Sequence, residues 1–361
     1  MAARFLVTYH VRANAETIAA RAQAIAVEQS VEMPLEAIDT PSILRDIVGE
    51  VADTADLGAG VFAVRIALAT ATIGGDAAQF LNMLFGNTSL HDDVVLADVE
   101  VPTELVAAFG GPRHGIAGLR QRAGGEGRAL TCSALKPQGL PPDRLASLAA
   151  QFADGGVDYI KDDHGLADQS YSPFADRVRA CAVALRGYQT RYVPSLSGSL
   201  DAMRAQVTLA RDEGIDTVLI APLLAGLSTM QALVAAFPDI AFLAHPSFGG
   251  AARVAPDLLV GKLFRLLGAD AVIFPTHGGR FGYTPETCRR LAETARVPLP
   301  DLRPALPVPA GGMTLSRVPE ILDFYGPDTM LLIGGSLLLA RERLTAETTA
   351  FTTRVAAHHY R

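Results

Sequence analysis

The run Lys161-Asp162-Asp163-His164 sets an amine, two carboxylates and an imidazole side by side. Side chains alternate along a strand, so Lys161 and Asp163 share one side there and Asp162 takes the other. Burial lowers a lysine pKa and makes the amine nucleophilic. Such a lysine can act as a base, form a Schiff base or capture CO2 as a carbamate. A carbamate next to Asp163 would offer hard oxygen ligands to Mg2+. A structural Lys–Asp ion pair fits the same residues. Lys136, just before Pro137, reads as a second base, a phosphate contact or a solvated strand-end lysine. Two glycine pairs, Gly311-Gly312 and Gly334-Gly335, would let backbone N–H groups approach a phosphate closely. Their competing reading is two tight turns that need positive φ. His245 and the run Thr276-His277-Gly278-Gly279-Arg280 follow other short apolar runs.

These residues need a scaffold that gathers them. From Arg128 onward, eight short apolar runs alternate with amphipathic segments, several of which end in glycine. The runs are ALTCSALKP, VDYIKDD, RYVPSL, IDTVLIAPL, IAFLAHPS, ADAVIFPTHGG, ALPVPAGG and TMLLIGG. Near-continuous apolar strands alternating with helices predict a (β/α)8 TIM barrel, whose active site lies at the carboxyl ends of its strands. Every residue singled out above falls at such an end. A doubly wound open sheet is the alternative, but no Gly-x-Gly-x-x-Gly turn follows the first run. Upstream, RFLVTYHV, GVFAVRIALA and DVVLADVEV read as strands, with helical spacing in NAETIAARAQAIAVEQ and GDAAQFLNMLFGN. That alternation predicts a ferredoxin-like α+β domain. The polar, glycine-rich RAGGEGR at 122–128 is read as the hinge, giving domains at 1–124 and 125–361.

The chain has 361 residues, 49 % hydrophobic and 19 % charged, enough for a large core and against extensive disorder. A net charge of −7 argues against a nucleic-acid partner. Three scattered cysteines, Cys132, Cys181 and Cys288, suggest neither a disulfide framework nor a zinc site and fit a reducing cytoplasm. The opening residues alternate like a strand rather than a signal peptide. No stretch has the length and apolarity of a membrane span.

Taken together, the motifs resemble the RuBisCO large-subunit superfamily over nearly the whole chain. GGVDYIKDDH at 155–164 resembles the signature GGxDFxKDDE, and SALKPQGL at 133–140 resembles the strand-1 KPKLGL segment. FGN at 85–87, FGGPRHGI at 109–116, EQS at 28–30, PVPAGGM and LIGGS match further segments in order. The resemblance implies that Lys161 is the carbamylated lysine and Asp163 a Mg2+ ligand. It makes Lys136 an acid/base lysine, and Gly312, Gly334 and Gly335, with Gly311 beside them, donors to one phosphate. His245 and His277 match active-site histidines. Glu28 and Asn87 match residues lent to a partner's barrel, which implies a homodimer with shared sites.

Departures from the pattern point away from CO2 fixation. His164 stands where the family has a metal-binding Glu; histidine suits transition metals better than Mg2+. Gln138 replaces a second strand-1 lysine, and Pro246 follows His245 where the family grips a second phosphate with arginine. The short loop HGGRFGYTPE lacks the family's flexible-loop lysine, though Arg280 offers another anion contact. The resemblance thus implies a RuBisCO-like protein acting on a monophosphorylated keto-sugar or keto-acid through an enolate. The short loop, the KDDH run and EQSVEMP look unlike the methionine-salvage enolases and lean toward a 3-oxo-isoapionate 4-phosphate decarboxylase. The alternatives are an enolase or isomerase of methylthio-sugar phosphates, or a non-catalytic sugar-phosphate-binding protein.

Overall fold

The structure, a computed structural model, describes residues 3–299 and 301–360. It divides into two compact units, Met1–Phe109 with Gly249–Leu259, and Gly110–Phe248 with Val260–Arg361.

In the first unit β1 (Arg4–Arg12) alternates buried and open positions, with Phe5, Val7, Tyr9 and Val11 pointing inward. Helix Ile18–Glu28 buries Ile18, Ala22, Ile25 and Ala26, a single stripe at helical spacing. Then come β2 (Glu50–Gly58), β3 (Val61–Ala69), helix Ala77–Phe85 and β4 (Val94–Val99). Asp76 caps the second helix by accepting the Gln79 N–H at 2.7 Å. The sheet order β2-β3-β1-β4, all antiparallel, is that of a ferredoxin-like βαββαβ unit. The sequence reading has three strands here; β2 is the addition. Eight of its nine residues, EVADTADLG, are exposed, so it carries no apolar alternation to reveal it. Residues 249–259 complete this unit: Leu96 of β4 donates to Arg253 O at 3.0 Å and accepts from Ala255 N at 2.9 Å.

The second unit holds eight parallel strands: β5 (Leu130–Leu135), β6 (Tyr159–Asp162), β7 (Arg191–Val193), β8 (Thr217–Ile220), β9 (Ala241–Ala244), β10 (Ala271–Pro275), β11 (Leu306–Ala310) and β12 (Met330–Leu332). They form the arcs β12-β5-β6-β7 and β8-β9-β10-β11. Hydrogen bonds from Leu196 N to Leu219 O and from Leu219 N to Pro194 O, each 2.8 Å, join β7 to β8. One apolar cluster takes side chains from all eight strands, including Cys132, Tyr159, Val193, Leu219, Leu243, Ile273, Val308 and Met330. That cluster is the barrel interior.

Helix Gly115–Ala123 closes it, contributing Ile116, Leu119 and Ala123 to the cluster and Leu119 O as acceptor for the Tyr159 hydroxyl at 2.7 Å. Asp270 holds the helix start by accepting the His114 and Gly115 N–H groups, both at 2.7 Å. The division between units accordingly falls at Phe109, not at the glycine-rich 122–128 expected from sequence. Composition marks a turn there, but the helix before it belongs to the barrel core. Among the described residues, no helix is long and apolar enough to cross a membrane.

Candidate active site at the barrel mouth

The interior cluster fixes which side chains look into the mouth. Tyr159 is inward, so two steps on Lys161 and Asp163 are inward as well. The same parity carries Leu130 and Cys132 of β5 to Lys136, Leu243 of β9 to His245, and Met330 and Leu332 of β12 to Gly334.

Lys161 is 3 % exposed and donates from Nζ to Asp162 O at 2.8 Å. Burial lowers its pKa from the ordinary lysine range, which favours the neutral amine. Asp163 binds Lys136 Nζ through Oδ2 and accepts the Gly165 N–H at 3.0 Å through Oδ1. Burial alone would raise the Asp163 pKa; Lys136 and the Gly165 N–H outweigh it and hold the carboxyl at about 2. The Gln138 amide lies directly over Gly165, where a methyl would displace it. Asp162 points the other way and is fully buried, accepting from Arg177 Nε at 3.0 Å, Tyr192 OH at 2.7 Å and Ser195 N at 3.1 Å. Its role is to anchor β6, in line with its outward parity.

His164 stacks on His245, ring centroids 4.0 Å apart and planes 14° from parallel. Burial lowers both imidazole pKa values, that of His245 to about 2, with Lys161 and His164 adding to the effect on His245. His164 Nδ1 lies 3.7 Å from Asp163 Oδ1. Among the described residues, no group of three His, Cys, Asp or Glu side chains converges as a metal site. Asp163 and His164 are the neighbouring unmodified candidate donors, and a carbamate on Lys161 would supply a third; the buried, deprotonation-prone amine is suited to that reaction.

Gly311 and Gly312 take φ of +84° and +102°, so the turn after β11 requires glycine. Gly334 and Gly335 lead into helix Gly335–Leu338. A methyl on Gly334 would lie 3.9 Å from Lys136 Cε, which puts this loop directly beside the lysine. Ser336 Oγ donates to Met313 O at 2.8 Å and ties the two glycine loops together. The loop after β10 joins them: Arg280 N donates to Gly311 O at 3.1 Å, and a methyl on Gly279 would overlap that same carbonyl. The Arg280 guanidinium lies over the Phe281 ring, 5.2 Å from its centroid.

His277 turns elsewhere. Its Nε2 lies 3.2 Å from Glu320 Oε1, its ring packs 4.4 Å from Phe324, and its Nδ1 is buried without a partner. Its contacts are with helix Val318–Tyr325 and none is with the lysine pair. Glu28 and Asn87 meet in the first unit, where Asn87 Nδ2 donates to Glu28 Oε1 at 3.0 Å and to Glu32 Oε1 at 2.7 Å. Ser247, which the sequence reading passes over, bonds His245 Nδ1. Its only signal is its place two residues beyond a strand-end histidine.

The model of the ribulose bisphosphate carboxylase large-chain catalytic domain matches residues 115–357. The 5-methylthioribulose-1-phosphate isomerase of Rhodospirillum rubrum is 60 % identical over 363 residues, covering 99 % of this chain and 97 % of that protein. The 2,3-diketo-5-methylthiopentyl-1-phosphate enolase of Geobacillus kaustophilus is 35 % identical over 291 residues, 76 % of this chain and 70 % of the enolase. The crystal structure of a RuBisCO-like protein from Rhodopseudomonas palustris superposes with a TM-score of 0.93 at 51 % identity over 99 % of both chains.

Proposed function

Since the chain belongs to the RuBisCO large-chain family, among its RuBisCO-like proteins, we propose that it isomerises 5-methylthioribulose 1-phosphate or a close ketose phosphate. The observation that carries this reading is the 60 % identity to an isomerase of that substrate over essentially the full length of both chains. The site supports it. Gly334 beside Lys136 sets a phosphate cradle within reach of an amine, and Lys136 is paired with a carboxylate. Isomerisation of a ketose requires a proton to leave the carbon next to the carbonyl and return to the other carbon of an enediolate. In this reading Lys136 carries that proton, and the backbone N–H groups of Gly311, Gly312, Gly334 and Gly335 hold the phosphate, with Arg280 as a further anion contact.

The decarboxylase reading gives way to this one. Relatives that act on methylthio-sugar phosphates support an isomerase or enolase. The departures that suggested decarboxylation separate the chain from the enolase pattern, and an isomerase accommodates them equally. Lys161, as a carbamate, would hold a divalent cation together with Asp163 and His164. That ion would supply positive charge next to the enediolate oxygens. Glu28 and Asn87 are assigned to the barrel of a second copy in a homodimer. Mixing Glu28→Gln subunits with Lys136→Met subunits should then restore activity that neither has alone.

The test is incubation with 5-methylthioribulose 1-phosphate in D2O, followed by NMR. The expected result is an isomeric ketose phosphate with deuterium exchange at the shuttled position and no release of CO2. An inert methylthio-sugar phosphate together with CO2 release from 3-oxo-isoapionate 4-phosphate would reverse the assignment. Binding without turnover, unaffected by Lys136→Met, would favour a sensor.

A further inference from the structure

Ser247 follows His245 by two residues on the loop after β9. Its backbone N–H donates to His245 Nδ1 at 3.2 Å, and its hydroxyl oxygen lies 2.8 Å from the same nitrogen. A backbone N–H can only donate, so Nδ1 must present its lone pair. With the hydroxyl proton directed at the same lone pair, no space is left for a proton on Nδ1. The ring's single hydrogen therefore sits on Nε2, and an imidazolium would set one N–H against another. Among the described residues, none forms a hydrogen bond with His245 Nε2; both of the ring's protein hydrogen bonds are on Nδ1. Strand parity aims residue 245 into the mouth, and the 14° stack on His164 holds the ring plane.

We propose that His245 serves as a neutral hydrogen-bond donor to the oxygen that becomes the enediolate, and that Ser247 is the positioning residue that fixes its tautomer. Neither histidine nitrogen then carries the shuttled proton. A preset N–H at the oxygen stabilises charge as it develops and needs no reorganisation during the step. The acceptor in this proposal rests on the isomerase reading; the tautomer does not.

Two measurements separate the two claims. In protein labelled with 15N at histidine, His245 should show a protonated Nε2 and a bare Nδ1 without any ligand. A protonated Nδ1 would overturn the proposal whatever the substrate. With 5-methylthioribulose 1-phosphate, His245→Gln, whose amide N–H reaches the position of Nε2 but cannot exchange a proton in a catalytic cycle, should keep kcat within about tenfold. His245→Ala and His245→Asn should lose on the order of 10²–10³, the usual effect of deleting such a donor. Gln as inactive as Ala would show that proton transfer, not donation, is the function of this ring. Ser247→Ala should lower kcat roughly fivefold at unchanged KM, as the loss of about 1 kcal/mol of hydrogen bonding implies, with the tautomer kept by the backbone N–H that remains at residue 247. Ser247→Thr should restore kcat; an unchanged kcat in Ser247→Ala would remove the Ser247 hydroxyl from the scheme. If the wild-type protein leaves the ketose phosphate untouched, the functional reading fails, and the nitrogen shifts still decide the tautomer.

Discussion

Asp162→Ala is expected to destabilise the barrel sharply without removing any group that faces the mouth. Asp162 and Arg177 are both wholly buried, and their ion pair spans 3.0 Å. Burial pushes the Asp162 carboxyl up, but Arg177, Tyr192 and Ser195 all direct donors at it and favour the ionised form. Removing the carboxylate leaves the guanidinium with neutral partners, among them the Ser172 and Ala167 carbonyls at 2.7 and 2.9 Å, the Ser172 hydroxyl and the Phe174 ring. Breaking one side of a buried pair costs about 3–5 kcal/mol. The barrel unit, of roughly 240 residues, unfolds with an entropy near 0.5 kcal/mol per kelvin at about 2.1 cal/mol/K per residue. A loss of about 4 kcal/mol then lowers Tm by about 8 °C. Differential scanning calorimetry measures this directly. The double variant Asp162→Ala, Arg177→Met, which removes the stranded charge, should recover much of the loss. A single-variant shift under about 2 °C, or a double variant no better than the single, would refute the claim that the pair's burial sets the cost.

Asp163, held at about 2 against an ordinary 3.8, binds fewer protons folded than unfolded. Its stabilisation of at most about 2 kcal/mol is present above pH 3.8 and lost as pH falls through 2. Urea titrations across that range should show a shallower acid slope in Asp163→Asn, and equal slopes would contradict the assignment. Gly279→Ala forces a methyl onto the Gly311 carbonyl, which cannot rotate away as a side chain could. The methyl carbon would start 2.1 Å from that oxygen, so the loops must part by roughly 1 Å, and KM for the phosphorylated substrate should rise about tenfold, for a cost of about 1–3 kcal/mol; unchanged KM would separate these loops from phosphate binding. All three cysteines are buried, and burial raises the Cys132 thiol to about 12. Ellman's reagent should titrate fewer than one thiol in the native protein and three after denaturation; rapid native labelling would mean the barrel opens more readily than this packing allows.

Much of the site was legible because strand parity is a local rule. It put Lys161 and Asp163 on one side and Asp162 on the other, and the buried anchor of Asp162 to Arg177 follows from that assignment. Lys136, His245 and Gly334 were placed from the sequence only as strand ends, and in the structure the inward parity of their strands carries on to them. Strand-end position did not bring His277 to the lysine pair, because the chain leaves β10 at Pro275 and the residues beyond obey a loop, with Glu320 and Phe324 drawing the ring toward a helix. β2 was missed because an edge strand that packs neither face leaves no apolar period. The boundary was misplaced because a glycine-rich turn looks alike whether it separates two cores or two elements of one. The substrate preference lay beyond any single motif: the KDDH run is compatible with several enolate chemistries, and the proposed isomerase reading rests on full-length similarity to one relative.

Residues 249–259 give the first unit an unusual history during synthesis. Its edge strand gains its last neighbour, Val254, from a segment made more than 150 residues after Leu96. A nascent chain released from the ribosome before that point carries an amino-terminal fold with an open seam. No single cut yields the two parts intact, and any attempt to swap the ferredoxin-like part between relatives must carry this distant segment with it.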